Sequence, residues 1–377
     1  MAALHDADVA VIGAGVIGLA SADRLLAAGH DVLVLEAAAI GDGATSAALG
    51  ALMPHAPTAA TPLSVAQRDS LAAMPAWIAD VEAHAGIATG YRRVGRIEIL
   101  PSAKASRQAD ARIAAARRRW AALSDRETPL RRITPDDARA AVPHIADAPH
   151  GYLADDVTAQ VDPAALLAGL AAACRQRGGD IRAHTPVRAV HGDATGVTLA
   201  TPTGKLRASH VVLATGIGRI GDGPPAGVPI RGVKGEAMRL PELADPAPRP
   251  LVSGPGGFAL TRPDGVAVGS TSDKTAPLES TVTRDGLHAL VGRARNLLAV
   301  EPAAARKTLW SGFRPAAPDG QPVIGPHPAQ PRIVVALGHF KTGLSLAPGT
   351  AEAVAALIDG HALAWPWSAF GAERFVG

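Results

Sequence analysis

The sequence predicts an α/β protein of two domains, one of them assembled from separated segments. Three observations predict it. The chain has 377 residues, more than one typical hydrophobic core organises. Near-continuous apolar strands occur at its start, middle and end, the pattern of a parallel sheet buried on both faces. Alternating strands and basic helices lie between them, so the chain leaves the first domain twice and returns.

Each element can be read in order. The stretch "DVAVIGAGVIGLASADRLLAAGHDVLVLE", residues 8–36, reads as strand, glycine turn, helix and strand. Its helix is expected from about Val16 to Ala28, with Gly29 as the stop. Small residues dominate "GDGATSAALGAL", and Pro54, Pro57 and Pro62 then break regular structure. From Gln67 to about Arg139 the pattern is helical, with one strand in "GRIEIL". In "DDVTAQVDPAALLAGLAAACRQRGGDIRAHTPVRAV" a loop leads to a helix and a strand. Asp162 is the expected N-cap, Pro163 the first helical residue, and Gly178 with Gly179 the end.

Residues 195–213 alternate as a strand pair, and "VVLATG" is a further apolar strand ending in a small-residue turn. Short strands follow in "GVKGEAMRL", "GFALTR" and "VAVGST", then a helix around 284–300. The chain closes with strand "RIVVALGH", turn "FKTG" and a helix from about Ala347 to Asp359. The resulting division places residues 1–75, 150–222 and 305–377 in a nucleotide-binding domain. Residues 76–149 and 223–304 form a second domain with a mixed, largely antiparallel sheet and flanking helices.

Charge names no macromolecular partner, because 37 basic residues nearly balance 34 acidic ones. The basic run Arg117, Arg118 and Arg119 reads as a solvated helix face; nucleic-acid binding would need aromatic platforms, and Trp120 is the one aromatic beside it. Cys174 is the sole cysteine, which excludes an intramolecular disulfide or a cysteine-based zinc site and fits a reducing cytoplasm. The first apolar run follows Asp6 and Asp8 and lacks the basic start of a signal peptide. No stretch approaches the roughly 18 apolar residues needed to span a bilayer. No metal-ligand cluster is expected, and a homo-oligomer is compatible with the sequence.

Gly13, Gly15 and Gly18 form G-x-G-x-x-G between a strand and a helix, and Glu36 ends the next strand. Gly13 permits a tight turn, Gly15 lets backbone approach a pyrophosphate, and Gly18 lets the helix pack on the strand. Val16 and Ile17 open the helix, whose N–H groups and positive dipole end then face the phosphates. Glu36, with Ala37 beside it, accepts from ribose hydroxyls and repels a 2′-phosphate, disfavouring NADP. This fingerprint leaves NAD and FAD open.

The ordered series "VAVIGAGVIGLASADRLLAAGHDVLVLE", "ATSAALGALMP", "DDVTAQVDP", "VVLATG", "VKGE", "WSGFRPAAPDGQPVIG" and "GHFKTGLSLAP" covers nearly the whole chain. It resembles the D-amino-acid oxidase superfamily of FAD flavoproteins, most closely the glycine oxidase branch. The resemblance implies a Rossmann-like FAD-binding domain of the glutathione-reductase type. It also implies Thr45, Ser46 and Ala47 against the pyrophosphate and flavin, and Gly50 and Leu52 beside the ring. Val187 would meet the adenine side, its alternative being an ordinary core valine, and Ala214, Thr215 and Gly216 would border the dinucleotide.

In "GHFKTGLSLAP", Gly338 and His339 end a strand, and the N–H groups of Thr342, Gly343, Leu344 and Ser345 open a helix toward an anion. In the resembling enzymes this end faces the flavin pyrimidine, and Lys341 adds a positive charge where relatives often carry arginine. His339 reads as a turn histidine with a structural hydrogen bond, not as a base. Arg314, alone in an apolar strand, suits a carboxylate through a planar bidentate pair.

The implied reaction is oxidative deamination of glycine, a D-amino acid or an N-substituted glycine. It proceeds by hydride transfer from the α-carbon to flavin N5, and O2 reoxidation gives H2O2. A dehydrogenase passing electrons to a quinone or carrier, and a non-catalytic flavin-binding module, are the alternatives. Two departures bear on substrate. Phe258 stands where the family usually has tyrosine, and Ala51 where the branch often has a larger side chain. Both favour a bulkier or N-substituted substrate. Cys174 on a helix reads as inert, so FAD is expected to be noncovalent.

Overall fold

The apolar run at the start forms the strand Ala7–Ile12, central in an eight-stranded sheet. It is parallel to both its neighbours, Val32–Leu35 and Gly204–Leu213. Val9, Ala10 and Val11 are fully buried, so side chains on both faces must be apolar and no alternation appears. Asp180–Arg182 extends the parallel set on one side, and Gln330–Leu337 joins it through Gly204–Leu213. Thus segments from the start, middle and end of the chain share one sheet. The computed structural model describes residues 6–221, 227–302 and 307–375. The divisions expected at 222/223 and 304/305 fall outside these residues.

Helices cover this sheet. Val16–Ala27 packs against Pro163–Gln176 and Gly343–Ile358, and Pro62–Ala85 packs against the last two. The Asp162 carboxylate accepts from the Ala164 and Ala165 amides, closing the N-terminus that Pro163 begins. The final helix starts at Gly343, four residues before the expected Ala347. Leu346, Ala347 and Pro348 are all buried there, and that packing outweighs the amide bond Pro348 cannot make.

A second eight-stranded sheet runs Thr308–Ala316, Arg231–Leu240, Gly265–Gly269, Gly257–Arg262, Leu251–Gly254, Arg96–Ile99, Tyr152–Asp155, Leu130–Ile133. It is antiparallel except where Leu251–Gly254 meets Arg96–Ile99. Helix Arg284–Leu298 backs it through Leu290, Ala294 and Leu297.

Three of these strands escape the sequence pattern. Leu130–Ile133 carries two arginines because it is an edge, and Leu251–Gly254 is too short to alternate. Tyr152–Asp155 is wholly buried, so it does not alternate either. Tyr152–Asp155 and Thr308–Ala316 lie in segments assigned by sequence to the first domain, yet both hydrogen-bond into the second sheet. Thr308–Ala316 is the seam between the layers: residues Leu309 to Pro315 are all half-buried.

Arg117 and Arg118 are exposed, while Trp120 is buried in the main core. Cys174 is buried, and burial pushes its thiol well above the ordinary range. Among the described residues, no helix is long and apolar enough to cross a membrane, and no cluster of metal-ligating side chains occurs.

Candidate active site

Between the two sheets runs a cleft with a cavity volume of about 550 Å³. One end is made by the glycine turn. Gly13 has φ +109°, and a Cβ there would meet the Ala214 carbonyl oxygen at 2.5 Å. A Cβ on Gly18 would lie 1.8 Å from the Gly13 carbonyl oxygen, so this glycine seats the helix on the turn and does not face the cleft. Glu36 Oε2 accepts from the Ala14 amide at 2.7 Å, and Oε1 from the Ala38 amide at 3.0 Å. Two backbone donors thus fix a carboxylate at the cleft wall. The Thr45 hydroxyl accepts from the Val16 amide at 3.2 Å, pinning the following loop to the first helix turn.

That loop is held from the second sheet as well. Arg262 donates to the Leu49 and Val161 carbonyls, both at 2.8 Å, and Trp310 Nε1 donates to the Ala47 carbonyl at 3.0 Å. Gly50 has φ +84°, and a Cβ there would strike the Val161 carbonyl oxygen at 2.1 Å.

The other end is built around Arg314. Strand register sets Val233 opposite Arg314 and Gly235 diagonally beside it. A Cβ on Gly235 would meet the guanidinium carbon at 2.4 Å, so glycine is what lets the guanidinium lie against this strand. Arg314 Nη2 donates to Ser270 Oγ at 2.6 Å, and Nη1 donates to the Thr271 and Lys234 carbonyls at 3.2 and 3.4 Å. Burial pushes the guanidinium below its ordinary value.

The rest of "VKGE" secures these partners. The buried Glu236 carboxylate accepts from the Thr283 amide at 2.7 Å and the Thr271 hydroxyl at 3.2 Å. Lys234 donates to the Thr281 carbonyl at 2.6 Å. The Phe340 amide donates to the Pro315 carbonyl at 2.7 Å, which ties the turn carrying Lys341 to the arginine strand. Lys341 is held below the ordinary lysine value by burial first, then by Arg314 and Lys274. Among the described residues, neither Arg314 nor Lys341 has a carboxylate within 4.0 Å.

The cleft gathers most residues singled out by sequence. Gly13, Gly15, Val16, Ile17 and Glu36 line it with Thr45, Ala47, Gly50, Ala51, Ala214, Thr215 and Gly216. Phe258, Arg314, Gly338, His339, Lys341, Gly343 and Leu344 line it too.

Others lie elsewhere. Ala37 is exposed, and the exposed Ser46 donates to the Gly43 carbonyl. Leu52 lies in the main core cluster, and Val187 packs in a cluster with Leu33 and Leu35. Thr342 caps back onto the His339 carbonyl, and the Ser345 hydroxyl is taken by Thr342 and Gln67. His339 Nε2 meets Thr350 Oγ1 at 3.1 Å, and burial pushes its pKa down to about 3, so the ring is neutral.

Sequence reasoning missed Gly235, Ser270 and Arg262. "VKGE" is a visible signal for the first; the other two depend on register and loop path.

The model of the family described as FAD dependent oxidoreductase matches residues 8–357, nearly the whole chain. The chain belongs to that family. A glycine oxidase of Geobacillus kaustophilus is 30% identical over 383 residues, covering 99% of this chain and 98% of that one. One of Bacillus licheniformis is 29% identical, covering 97% of each. The crystal structure of glycine oxidase from Geobacillus kaustophilus superposes with a TM-score of 0.85 at 28% identity, covering 99% of this chain and all of the other.

This enzyme is therefore an FAD-dependent oxidoreductase, and the residues fit that cofactor. The glycine turn leaves backbone bare at the start of one helix, and the Glu36 carboxylate is anchored at the adjacent strand end. A second helix, Gly343–Ile358, opens on the same cleft without a side-chain cap at Thr342. Its first-turn N–H groups and positive dipole end suit negative charge on a bound ring.

Proposed function

We propose that this chain oxidises the C–N bond of a small amino acid, with Arg314 holding the substrate carboxylate. The observation that carries the reading is a guanidinium fixed in the cleft by three hydrogen bonds yet lacking a carboxylate partner among the described residues. Such a fork binds a carboxylate bidentately and fixes the α-carbon beside it. The likeness to glycine oxidases over nearly the full chain supports the same substrate class.

FAD, when bound, would supply a two-electron acceptor for the α-hydrogen as hydride, with O2 as the final acceptor and H2O2 as the product. Gly13, Gly15 and the first turn at Val16 and Ile17 would hold its pyrophosphate, and Glu36 its ribose. Thr45, Ala47, Gly50, Ala214, Thr215 and Gly216 would border it; Gly338, His339, Gly343 and Leu344 would lie toward the ring. Attachment is noncovalent, because Cys174 is buried behind the first helix, where its thiol contacts the Leu19 carbonyl. His339 takes no proton, being neutral and bonded to Thr350. Loss of the α-hydrogen as hydride requires a neutral amine, and the imine left by oxidation is hydrolysed by water to the oxo acid.

Phe258, half-buried in the cleft, offers no hydroxyl donor, and Ala51 leaves room for more than a glycine side. We assign the chain to the cytoplasm, where its one thiol stays reduced. Anaerobic mixing with glycine, D-amino acids and N-substituted glycines tests the reading. Bleaching of the flavin, followed by H2O2 on admitting air, is the expected result. No bleaching across the panel would leave a flavin-binding protein without this activity, and bleaching without H2O2 would make it a dehydrogenase.

A further inference from the structure

Charge in the cleft is not balanced by one carboxylate. Arg314 and Lys341 both line it, joined through the Phe340–Pro315 hydrogen bond, and each lacks a carboxylate within 4.0 Å among the described residues. Among the described residues, the two acidic ones lining the cleft do not compensate them. Glu36 is engaged by the Ala14 and Ala38 amides at the glycine-turn end, and Asp42 lies in the turn after it. Burial lowers both cations, and Arg314 and Lys274 further oppose charge on Lys341. An oxidisable amine is neutral, so a monocarboxylic substrate brings a charge of minus one to two cations. The second cation, exposed at the cleft wall, is then left without an anionic partner, whereas a second carboxylate would supply one.

We propose that the preferred substrates are amino acids bearing two carboxylates, the first held by Arg314 and the second by Lys341. The inference rests on the reading of the cleft as an amino-acid oxidation site. The two groups differ as this division requires. Arg314 is rigid, braced by Ser270, Thr271 and Gly235, and so defines where the reacting carbon sits. Lys341 is exposed on a flexible stem, with Nζ 5.2 Å from the Phe340 ring centroid, and can follow a second carboxylate at varied reach. Ala51 in place of a larger side chain leaves space for the extra group.

The test compares aspartate of both configurations and iminodiacetate with alanine of both configurations and glycine, on holoenzyme. The wild type should favour the dicarboxylates by about tenfold or more in kcat/KM, the factor one charge-assisted hydrogen bond supplies. Lys341→Met should bring that ratio near one, whereas Arg314→Ala should depress both classes and leave the ratio in place. Equal handling of both classes by the wild type would overturn the proposal, as would a Lys341→Met variant that weakens both equally.

Binding gives an independent readout. Malonate and succinate, followed by flavin spectral perturbation of the oxidised enzyme, should bind about tenfold tighter than acetate, and Lys341→Met should erase the difference. If no amino acid bleaches the flavin but this preference persists, the oxidation reading fails and the two-anion site stands. If bleaching occurs with monocarboxylates alone, the oxidation reading stands and the two-anion site falls.

Discussion

The two ends of the cleft are built by opposite means. At the nucleotide end the polar partners are mostly backbone amides, and the residues from Gly13 to Glu36 lie within one strand–helix–strand unit. At the substrate end one side chain, Arg314 on the seam strand, is set by groups from separate stretches: the Lys234 carbonyl and Gly235 on the neighbouring strand, and the Ser270 hydroxyl with the Thr271 carbonyl beyond. The first end tolerates no added carbon where backbone is already in contact. The second depends on strand register to bring its groups together.

This difference predicts unequal responses to substitution. The largest effect should come from Gly13→Ala. It adds a Cβ 2.5 Å from a carbonyl oxygen at a φ that L-residues rarely adopt. Strain of roughly 3 kcal/mol, relieved only by moving the turn, should weaken FAD about a hundredfold, measured by flavin release on dilution. Retention of FAD at wild-type affinity would remove the turn from the cofactor site.

Gly235→Ala sharpens the contrast, because it disturbs only the substrate end. Its Cβ would sit 2.4 Å from the Arg314 guanidinium carbon, so the fork must tilt away. The apparent KM should rise about fivefold, since part of one charge-assisted hydrogen bond is lost, while FAD stays bound. A loss of FAD instead would show that the two ends are coupled.

The smallest effect is in pH. Lys341 has a depressed pKa, so it loses its charge at lower pH than an ordinary lysine, while Arg314 stays charged. The affinity of a non-oxidisable carboxylate should therefore fall by a few-fold as pH rises through that lowered value. Lys341→Met should flatten this alkaline fall, read as Kd against pH. Persistence of the fall in the variant would assign it to another group.

The same contrast explains what could be read from sequence. Glycine spacing, Glu36 and the Asp162 cap are local features, and each produced the local geometry its chemistry requires. Arg314 stood out because an arginine in an apolar strand needs a partner. Its support did not, since the contact with Gly235 exists only through the register of Thr308–Ala316 against Arg231–Leu240. Ser270, just past a strand, and Arg262, at the end of one, look ordinary in sequence, and nothing local shows that they reach Arg314 and the Leu49 carbonyl. Leu52 and Val187, placed beside a cofactor by resemblance, belong to apolar clusters whose partners are set by the fold and not by neighbouring sequence. Tyr152–Asp155 and Thr308–Ala316 crossed the expected divisions because sheet membership follows hydrogen bonding, not chain segment.

The central claim is that Arg314 holds the carboxylate while the glycine-turn end holds FAD. Titration of oxidised holoenzyme with a non-oxidisable carboxylate, compared between wild type and Arg314→Ala, tests it most directly. Loss of a charge-assisted pair, about 1.5 to 3 kcal/mol, should raise Kd by about 10- to 100-fold with FAD content unchanged. An unchanged Kd in the variant would contradict the account.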